Sequence, residues 1–361
     1  MKLHSGKFRF LIRIFSAVVA FMLVFFALQR LLEPKYASAS IEGALIREYY
    51  DGAMDQDVIF IGDCEVYSNF SPITLWEDFG ITSYVRGSPQ QLIWQSYYIL
   101  EDTLRHAQKT PRVVVFNVLS MQYDEPQYEP YNRLTLDGMR WSPSKLKAIA
   151  ASRTDDEDWL SYILPFFRYK DRWRDLSSED VRYFFSDPRV SVNGFMIRAD
   201  TDPVDFIPDP LPRRNYQFGD NAYSYLERMT LLARENGIEL VLVKAPVLYP
   251  HWYAQWDEQI KSFANKNDLI YINLLEYIED IGLDFSTDTF DAGLHLNVYG
   301  AERLSRFFGE FLKEQLDLPD HRQEAETAAG WDEMAALYHR IVQRQRQDIV
   351  RTGKIQGFLA E

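Results

Sequence analysis

The chain has 361 residues, enough for about two domains at ~150 residues each, and its 47% apolar and 25% charged residues exclude a disordered or collagen-like protein. Its 39 basic and 53 acidic residues give a net charge of −14, which disfavours nucleic acid as a partner because phosphate contacts need a basic face. The single cysteine, Cys64, excludes an internal disulfide, and no His, Cys or carboxylate spacing is typical of a metal site.

The first predicted element is a membrane-spanning helix. Residues 14–28 carry no charge, and the apolar stretch extends to about residues 8–32 if the flanking arginines reach toward the headgroups. That length crosses a ~30 Å hydrocarbon core. Because basic residues precede the span and an acidic body follows it, we expect a single-pass cell-membrane protein with its N-terminus inside and its main domain extracytoplasmic. A cleaved signal peptide is the alternative, since residues 37–39 resemble a cleavage site.

The remaining chain alternates between short apolar runs and helical patterns. After a tail and anchor at residues 1–34 and a linker at 35–56, with a short helix near 41–50, five runs predict buried strands at residues 58–61, 82–85, 113–116, 238–243 and 270–272. Helical segments fall at residues 91–105, 221–235, 258–265 and 301–316. This order predicts an α/β body over residues 57–318, with a mostly parallel sheet covered on both faces.

Two segments stand outside this alternation. Residues 121–218 are rich in aromatic side chains and proline, and we interpret them as a large insertion that either has a core of its own or stacks against sugar rings. Residues 319–361 form a C-terminal extension that is strongly helical at 331–350. We expect this helix to pack against the domain or to contact a partner.

Chemistry-bearing residues follow three of the predicted strands. Functional residues of parallel α/β sheets gather beyond the carboxyl ends of the strands. Here Asp63 and Cys64 follow the first strand, Gly87 the second and Asn117 the third. A further cluster, with Asp291 and His295, lies in the loop before the last helix of the body. A nucleophile, backbone donors, a side-chain amide and an acid–base pair together indicate an acyl-transfer site.

The order of these motifs resembles the SGNH/GDSL hydrolase superfamily. In particular it resembles the membrane-anchored branch of Gram-positive bacteria, distantly similar to the D-alanine transfer protein of teichoic acid synthesis. Gly62, Asp63 and Cys64 match its Gly-Asp-Ser turn except for the last residue, and Gly87 and Asn117 match single residues of its second and third blocks. Its last block separates Asp from His by two residues, whereas three separate Asp291 from His295 and Asp288 is an alternative orienting acid.

The resemblance implies a three-layer, flavodoxin-like α/β/α fold and an esterase or acyltransferase that needs no cofactor. Its substrate would be the ester or thioester groups of a cell-envelope polymer, and a membrane protein could be its partner. In this interpretation Cys64 is the nucleophile, His295 the base and Asp291 the residue that orients it. The oxyanion hole would consist of the backbone N–H groups of Cys64 and Gly87 with the amide of Asn117.

Two side chains near this site are candidates for binding substrate. Lys244 follows the fourth strand and carries a charge that could attract an anion, although a solvated lysine fits the pattern equally well. Asp63, next to the nucleophile, is the second candidate. The whole interpretation has a rival, because Cys64 could be only a small buried residue in a catalytically silent binding or scaffold protein. A redox sensor is disfavoured by the lack of a second cysteine.

Overall fold

Five apolar runs form the strands of one sheet in a computed structural model that describes residues 3–34, 43–186, 189–204, 206–207 and 209–357. The strands are β1 (Val58–Gly62), β2 (Ser83–Gly87), β3 (Val113–Asn117), β4 (Glu239–Lys244) and β5 (Ile270–Asn273). Their order is β2-β1-β3-β4-β5, and every neighbouring pair is parallel. The α/β class and the parallel sheet predicted from the sequence are confirmed.

The chain divides into two compact units, one of residues 37–155 and 189–361 and one of residues 1–36 and 156–188. The first of these holds the sheet. Its α-helices are α2 (Ala44–Glu48), α3 (Cys64–Asn69), α4 (Pro72–Phe79), α5 (Ile93–His106), α6 (Glu129–Leu136), α7 (Pro143–Ser152), α11 (Asp220–Glu235), α12 (Ala254–Lys266), α13 (Ile278–Ile281), α14 (Val298–Leu316) and α15 (Ala325–Thr352). Four short 3₁₀ helices within the described residues of this unit are Tyr49–Asp51, Val118–Gln122, Leu274–Tyr277 and His321–Gln323.

The other unit is helical. It contains α1 (Leu3–Leu32), α8 (Trp159–Ile163), α9 (Phe166–Tyr169), α10 (Ser178–Arg182) and the 3₁₀ helix Lys170–Arg174. Within the described residues, α1 is the one helix long and apolar enough to cross a membrane, over Lys7–Leu32. The signal-peptide alternative depends on residues 37–39, which lie outside the described part of the chain.

One face of the sheet packs on helices α3, α4 and α14. Alternate strand residues face the same side, and Phe60, which lies on this face with Val115 and Val243, is buried in the same apolar cluster as Phe308 of α14. The ring of Phe60 lies 4.8 Å from that of Phe70 and 6.0 Å from that of Phe308. Helices α5 and α11 contact each other and strands β1 and β4, which completes three layers.

The C-terminal helix α15 is part of the domain's packing. Trp331 stacks on Trp76 of α4 with ring centroids 5.4 Å apart, and Phe195 contacts Tyr338 at 6.3 Å. The side chain of Gln345 bonds the backbone on both sides of residue 198, through the N–H of 199 and the carbonyl of 197. The expectation that this helix packs against the domain agrees with these contacts.

The segment predicted as one insertion is divided between the two units. Residues 156–188 group with α1, whereas 121–155 and 189–218 group with the sheet. In the latter, α7 contacts α5, and Gln95 of α5 bonds Asn132 and Ser152. Aromatic composition predicts apolar packing but does not say against which element a segment packs.

We predict that Phe308→Ala lowers the free energy of unfolding by about 3–5 kcal/mol, because it empties a fully buried ring site between two other rings. The matched control is Val350→Ala, whose side chain is 89% exposed and whose effect should stay within about 0.5 kcal/mol. Urea denaturation of the full chain in detergent micelles, followed by tryptophan fluorescence, measures both. Equal losses would contradict the placement of Phe308 in the core.

Candidate active site

The turn after β1 places Cys64 at the first position of helix α3. Asp63 caps this helix, because its Oδ1 accepts a hydrogen bond from the backbone N–H of Glu65 at 3.1 Å. Gly62 lets the strand enter the helix abruptly, since a Cβ there would lie 2.4 Å from Cγ2 of Val66. The thiol therefore lies at the carboxyl edge of the sheet, where the strand pattern predicts functional residues.

His295 lies in the loop that precedes α14, and one carboxylate holds it twice. Its Nδ1 is 2.6 Å from Oδ2 of Asp291, and its backbone N–H donates to Oδ1 of Asp291 at 2.8 Å. The hydroxyl of Thr289 donates to the carbonyl of His295 at 2.8 Å. Phe290 stacks on the imidazole, with centroids 5.6 Å apart and planes 11° from parallel. These contacts fix the orientation of the ring.

The imidazole of His295 acts on the thiol of Cys64, because it opposes the rise in the pKa of that thiol. Because Asp291 engages Nδ1, the ring nitrogen left for the thiol is Nε2. The structure thus brings together the three side chains that the sequence singled out as catalytic, as a series of thiol, imidazole and carboxylate. Such a series can move a proton from a nucleophile to a base while a carboxylate orients the base.

The surroundings of the Cys64 thiol favour the protonated thiol over the thiolate. Burial raises the pKa of Cys64 and Asp63 raises it further, while His295 opposes both. Burial by itself lowers the pKa of His295, but Cys64 and Asp291 outweigh it and raise that pKa to about 10. Burial, followed by the charge of Glu65, raises the pKa of Asp63 to about 7. The thiol and the imidazole therefore titrate as one coupled pair, and the form in which the sulfur can attack carries a single proton between them.

A buried ion pair connects β4 to the nucleophile's helix. Nζ of Lys244 lies 2.9 Å from both carboxylate oxygens of Glu65 and donates to the carbonyl of Ala245 at 2.8 Å. Both side chains are almost completely shielded from solvent. Since all three ammonium protons have acceptors, the structure does not support substrate binding by Lys244; it is a structural cation.

Asn117 also belongs to this buried cluster. Its Nδ2 donates to Oδ1 of Asp63 at 3.1 Å and to Oε2 of Glu65 at 2.9 Å, and its Oδ1 accepts from the N–H of Ala245 at 3.1 Å. Both amide protons are used, so the predicted role of Asn117 as an oxyanion donor is not supported. Asp63 is only 4% exposed and its Oδ1 already has two donors, which likewise speaks against its predicted contact with substrate.

The two predicted backbone donors lie at the turn itself. A Cβ at Gly87, the last residue of β2, would lie 3.1 Å from the carbonyl oxygen of Asp63 and 3.2 Å from that of Gly62, so glycine permits this close approach. The N–H of Cys64 belongs to the first turn of α3, where helix N–H groups lack intrahelical acceptors. A role for these two groups in an oxyanion hole remains a prediction.

Sequence analysis missed two contacts that hold the site together. Oδ1 of Asn69, at the end of α3, accepts from the backbone N–H of Leu296 at 2.9 Å, and so ties the nucleophile's helix to the histidine loop across 227 residues. The guanidinium of Arg198 lies 4.2 Å from the centroid of Phe290, the ring that stacks on the histidine. No motif or short-range spacing marks either residue.

One cavity borders the histidine loop, and a second adjoins it through Leu248 and Tyr249. One, of about 170 Å³, is almost entirely apolar and includes Ala292 and Leu294 of that loop. The other, of about 540 Å³, shares Leu248 with the first and includes Arg213 and Arg214. Over the described ranges, no cluster of three or more His, Cys, Asp or Glu side chains could hold a metal ion. The surroundings of the loop thus combine apolar space with cationic side chains.

No protein-family model matches the chain, and no curated protein matches it. Solved structures similar to it include a "putative acylhydrolase" of Bacteroides fragilis NCTC 9343, 13% identical over 75% of this chain and 95% of its own, with a TM-score of 0.36. Another is a GDSL-like lipase of Bacteroides thetaiotaomicron VPI-5482, 12% identical over 76% of this chain and 99% of its own, with a TM-score of 0.34. Values this low decide nothing about activity, which must be argued from the side chains.

We predict that Lys244→Met lowers the free energy of unfolding by about 3–5 kcal/mol, because it leaves the carboxylate of Glu65 buried without its cation. Adding Glu65→Gln to this variant should recover part of the loss, since the buried charge is then gone. Denaturation of the parent, both single variants and the double variant gives the coupling free energy. The exposed Lys266→Met is the control. Additive effects of the two substitutions would contradict the ion pair's role.

Proposed function

We propose that this protein is a membrane-anchored, extracytoplasmic esterase or acyltransferase in which Cys64 is the nucleophile. The observation that carries the proposal is that Cys64, His295 and Asp291 come together at the carboxyl edge of a parallel sheet, where the imidazole is hydrogen-bonded to Asp291 and opposes the rise in the pKa of the thiol. Its residue order also resembles the SGNH/GDSL motifs, with cysteine in place of serine. The fold class alone would not support a reaction, since one fold hosts many functions.

The reaction begins when Sγ of Cys64 attacks the carbonyl carbon of an ester or thioester and Nε2 of His295 takes the thiol proton. The tetrahedral intermediate collapses, the bond to the leaving oxygen or sulfur breaks, and the imidazolium returns the proton to that atom. The acyl group is then held on Cys64 as a thioester. Water or an acceptor hydroxyl, deprotonated by His295, attacks it and regenerates the thiol. Asp291 keeps the imidazole in place through both steps.

Negative charge develops on the carbonyl oxygen during both attacks. The backbone N–H groups of Cys64 and Gly87 are the proposed donors for this oxygen. Asn117 is left out of the proposal, because the carboxylates of Asp63 and Glu65 accept both of its amide protons. The hole would thus rely on main-chain donors, which need no side-chain reorganisation.

The proposed place of action is the outer face of a membrane, where an envelope polymer is the substrate or acceptor and a membrane protein could deliver the acyl group. Support comes from the apolar span Lys7–Leu32 and from the basic residues Lys2, Lys7, Arg9 and Arg13 at its N-terminal end. The apolar cavity at the histidine loop is large enough for a small acyl group, and the nearby arginines suit an anionic polymer.

A catalytically silent binding protein is the second candidate. It is favoured by the raised pKa of Cys64 and by the commitment of Asn117 to structural hydrogen bonds. Under this hypothesis the protein would still bind the polymer but would not turn it over. Turnover of an ester or thioester by the folded parent protein distinguishes the two candidates.

We predict that the full chain in detergent hydrolyses short-chain aryl esters or thioesters and that Cys64→Ala abolishes this activity. His295→Ala should lower kcat by about 100-fold or more, as loss of a general base does. Cys64→Ser tests whether a hydroxyl can replace the thiol, and Asp291→Asn should lower kcat while the fold is retained. Release of the aryl product measures each.

The control for these substitutions is His339→Ala, which removes an imidazole that is 57% exposed and paired with a surface glutamate. It should leave turnover unchanged. A folded parent without turnover, or Cys64 and His295 variants as active as the parent, would rule out the enzyme and favour the silent binding protein.

We predict that kcat/KM rises as the pH is raised from neutral to alkaline values. The raised pKa values of Cys64 and His295 mean that the form able to attack appears only when the pair loses a proton. Asp63→Asn removes a negative charge that raises the pKa of Cys64, so the rising limb should move to lower pH.

The pH profile of kcat/KM for the parent and Asp63→Asn tests this expectation, with the exposed Asp268→Asn as a charge-matched control. The control should reproduce the parental profile. A flat profile from neutral to alkaline pH, or a shift of the limb to higher pH in Asp63→Asn, would contradict the assigned electrostatics.

A further inference from the structure

The segment 156–188 packs against one end of the apolar helix α1. The ring of Phe166 lies 5.2 Å from that of Phe25, and the backbone N–H of Phe166 donates to the side chain of Gln29 at 3.4 Å. Further along, Arg172 donates to the carbonyl of Leu32, and the side chain of Arg30 donates to the carbonyl of Phe184 at 3.3 Å. The contacts fall on residues 25–32, at the C-terminal end of the span.

The apolar helix α1 is longer than the hydrocarbon core of a bilayer requires. The apolar helix Lys7–Leu32 has 26 residues and is therefore about 39 Å long at ~1.5 Å per residue. The hydrocarbon core is ~30 Å thick, so roughly the last six residues of the span extend into the headgroup region if the helix enters near Lys7. The contacts to Gln29, Arg30 and Leu32 therefore lie at the depth of the headgroups, and the contact to Phe25 lies at the edge of the hydrocarbon core.

The composition of this segment suits that depth. Large apolar side chains on it are exposed, among them Phe167 at 40%, Trp173 at 61% and Phe185 at 86%. Five basic residues lie between positions 168 and 182, and three of their guanidinium groups, on Arg168, Arg174 and Arg182, lie over aromatic rings of the same segment. Aromatic rings together with long basic side chains are typical of the boundary between lipid and water.

We propose that residues 156–186 form a second membrane-contacting element, which lies in the headgroup region of the leaflet where α1 ends. The occupant of this exposed apolar surface is the lipid bilayer, because the segment packs on a helix most of whose apolar side chains from Phe8 to Leu28 are exposed. The inference rests on the proposed anchoring by α1 and is independent of the chemistry at Cys64. Its consequence is a fixed orientation of this unit at the membrane.

The test uses the full chain reconstituted into vesicles of phosphatidylcholine and phosphatidylglycerol that contain a lipid with a photoactivatable group near its headgroup. Mass spectrometry then maps the labelled peptides. We expect labelling within residues 160–185 and at the ends of α1, and background labelling of α11, which exposes the apolar Leu231 to 57% and serves as the internal control. Labelling of 160–185 at the level of α11 would overturn the proposal and would favour a protein partner for this surface.

Variants make the test specific to the exposed side chains. Trp173→Ser alone, and Phe167→Ser with Phe185→Ser, should each reduce labelling of the segment several-fold, whereas Leu231→Ser should not. Unchanged labelling in both variants would contradict the proposal. A second probe near the bilayer centre tests whether α1 spans the membrane. It therefore distinguishes a failure of the proposed anchor from a failure of this inference. If α1 itself is unlabelled, the anchor fails, and if α1 is labelled while the segment is not, only this inference fails.

Discussion

The buried ion pair between Lys244 and Glu65 is the interaction on which the site depends. It joins the end of β4 to the helix that begins with Cys64, and Asn117 extends it to the end of β3. Burying two charges costs several kcal/mol each unless both are paired and hydrogen-bonded, and here every ammonium proton has an acceptor. Three strand ends are thereby held in one arrangement, with the thiol at their junction.

The sequence predicted the parts of the site that follow from strand topology. Parallel strands place their carboxyl ends at one edge, so apolar runs ending near Cys64, Gly87 and Asn117 already suggested that these residues meet. The partnership of His295 with Asp291 could also be predicted, because only three residues separate them in one loop. The direction of each side chain could not be predicted. The amide of Asn117, for example, donates to the carboxylates of Asp63 and Glu65.

The contacts that sequence reasoning missed share one physical origin. Asn69 and Leu296 are 227 residues apart, and a single hydrogen bond leaves no periodic pattern in either segment. The division of the aromatic segment is similar, since aromatic composition reports a tendency to be buried but not the surface that does the burying. Residues 156–188 are richer in aromatic side chains than their neighbours, but this composition does not show that they group with α1. Long-range partners of this kind are set by tertiary packing alone.

A cysteine in this setting differs from reactive cysteines that rely on an electropositive surrounding to hold a thiolate. Cys64 is buried beside Asp63, so its thiol keeps its proton at neutral pH. Attack by sulfur then requires a base that removes the proton during the reaction, just as attack by a serine hydroxyl does. This explains why the complete series with His295 and Asp291 accompanies the thiol, although an exposed thiolate would need no such help. The thiol at this position therefore depends on its base as strongly as a hydroxyl would.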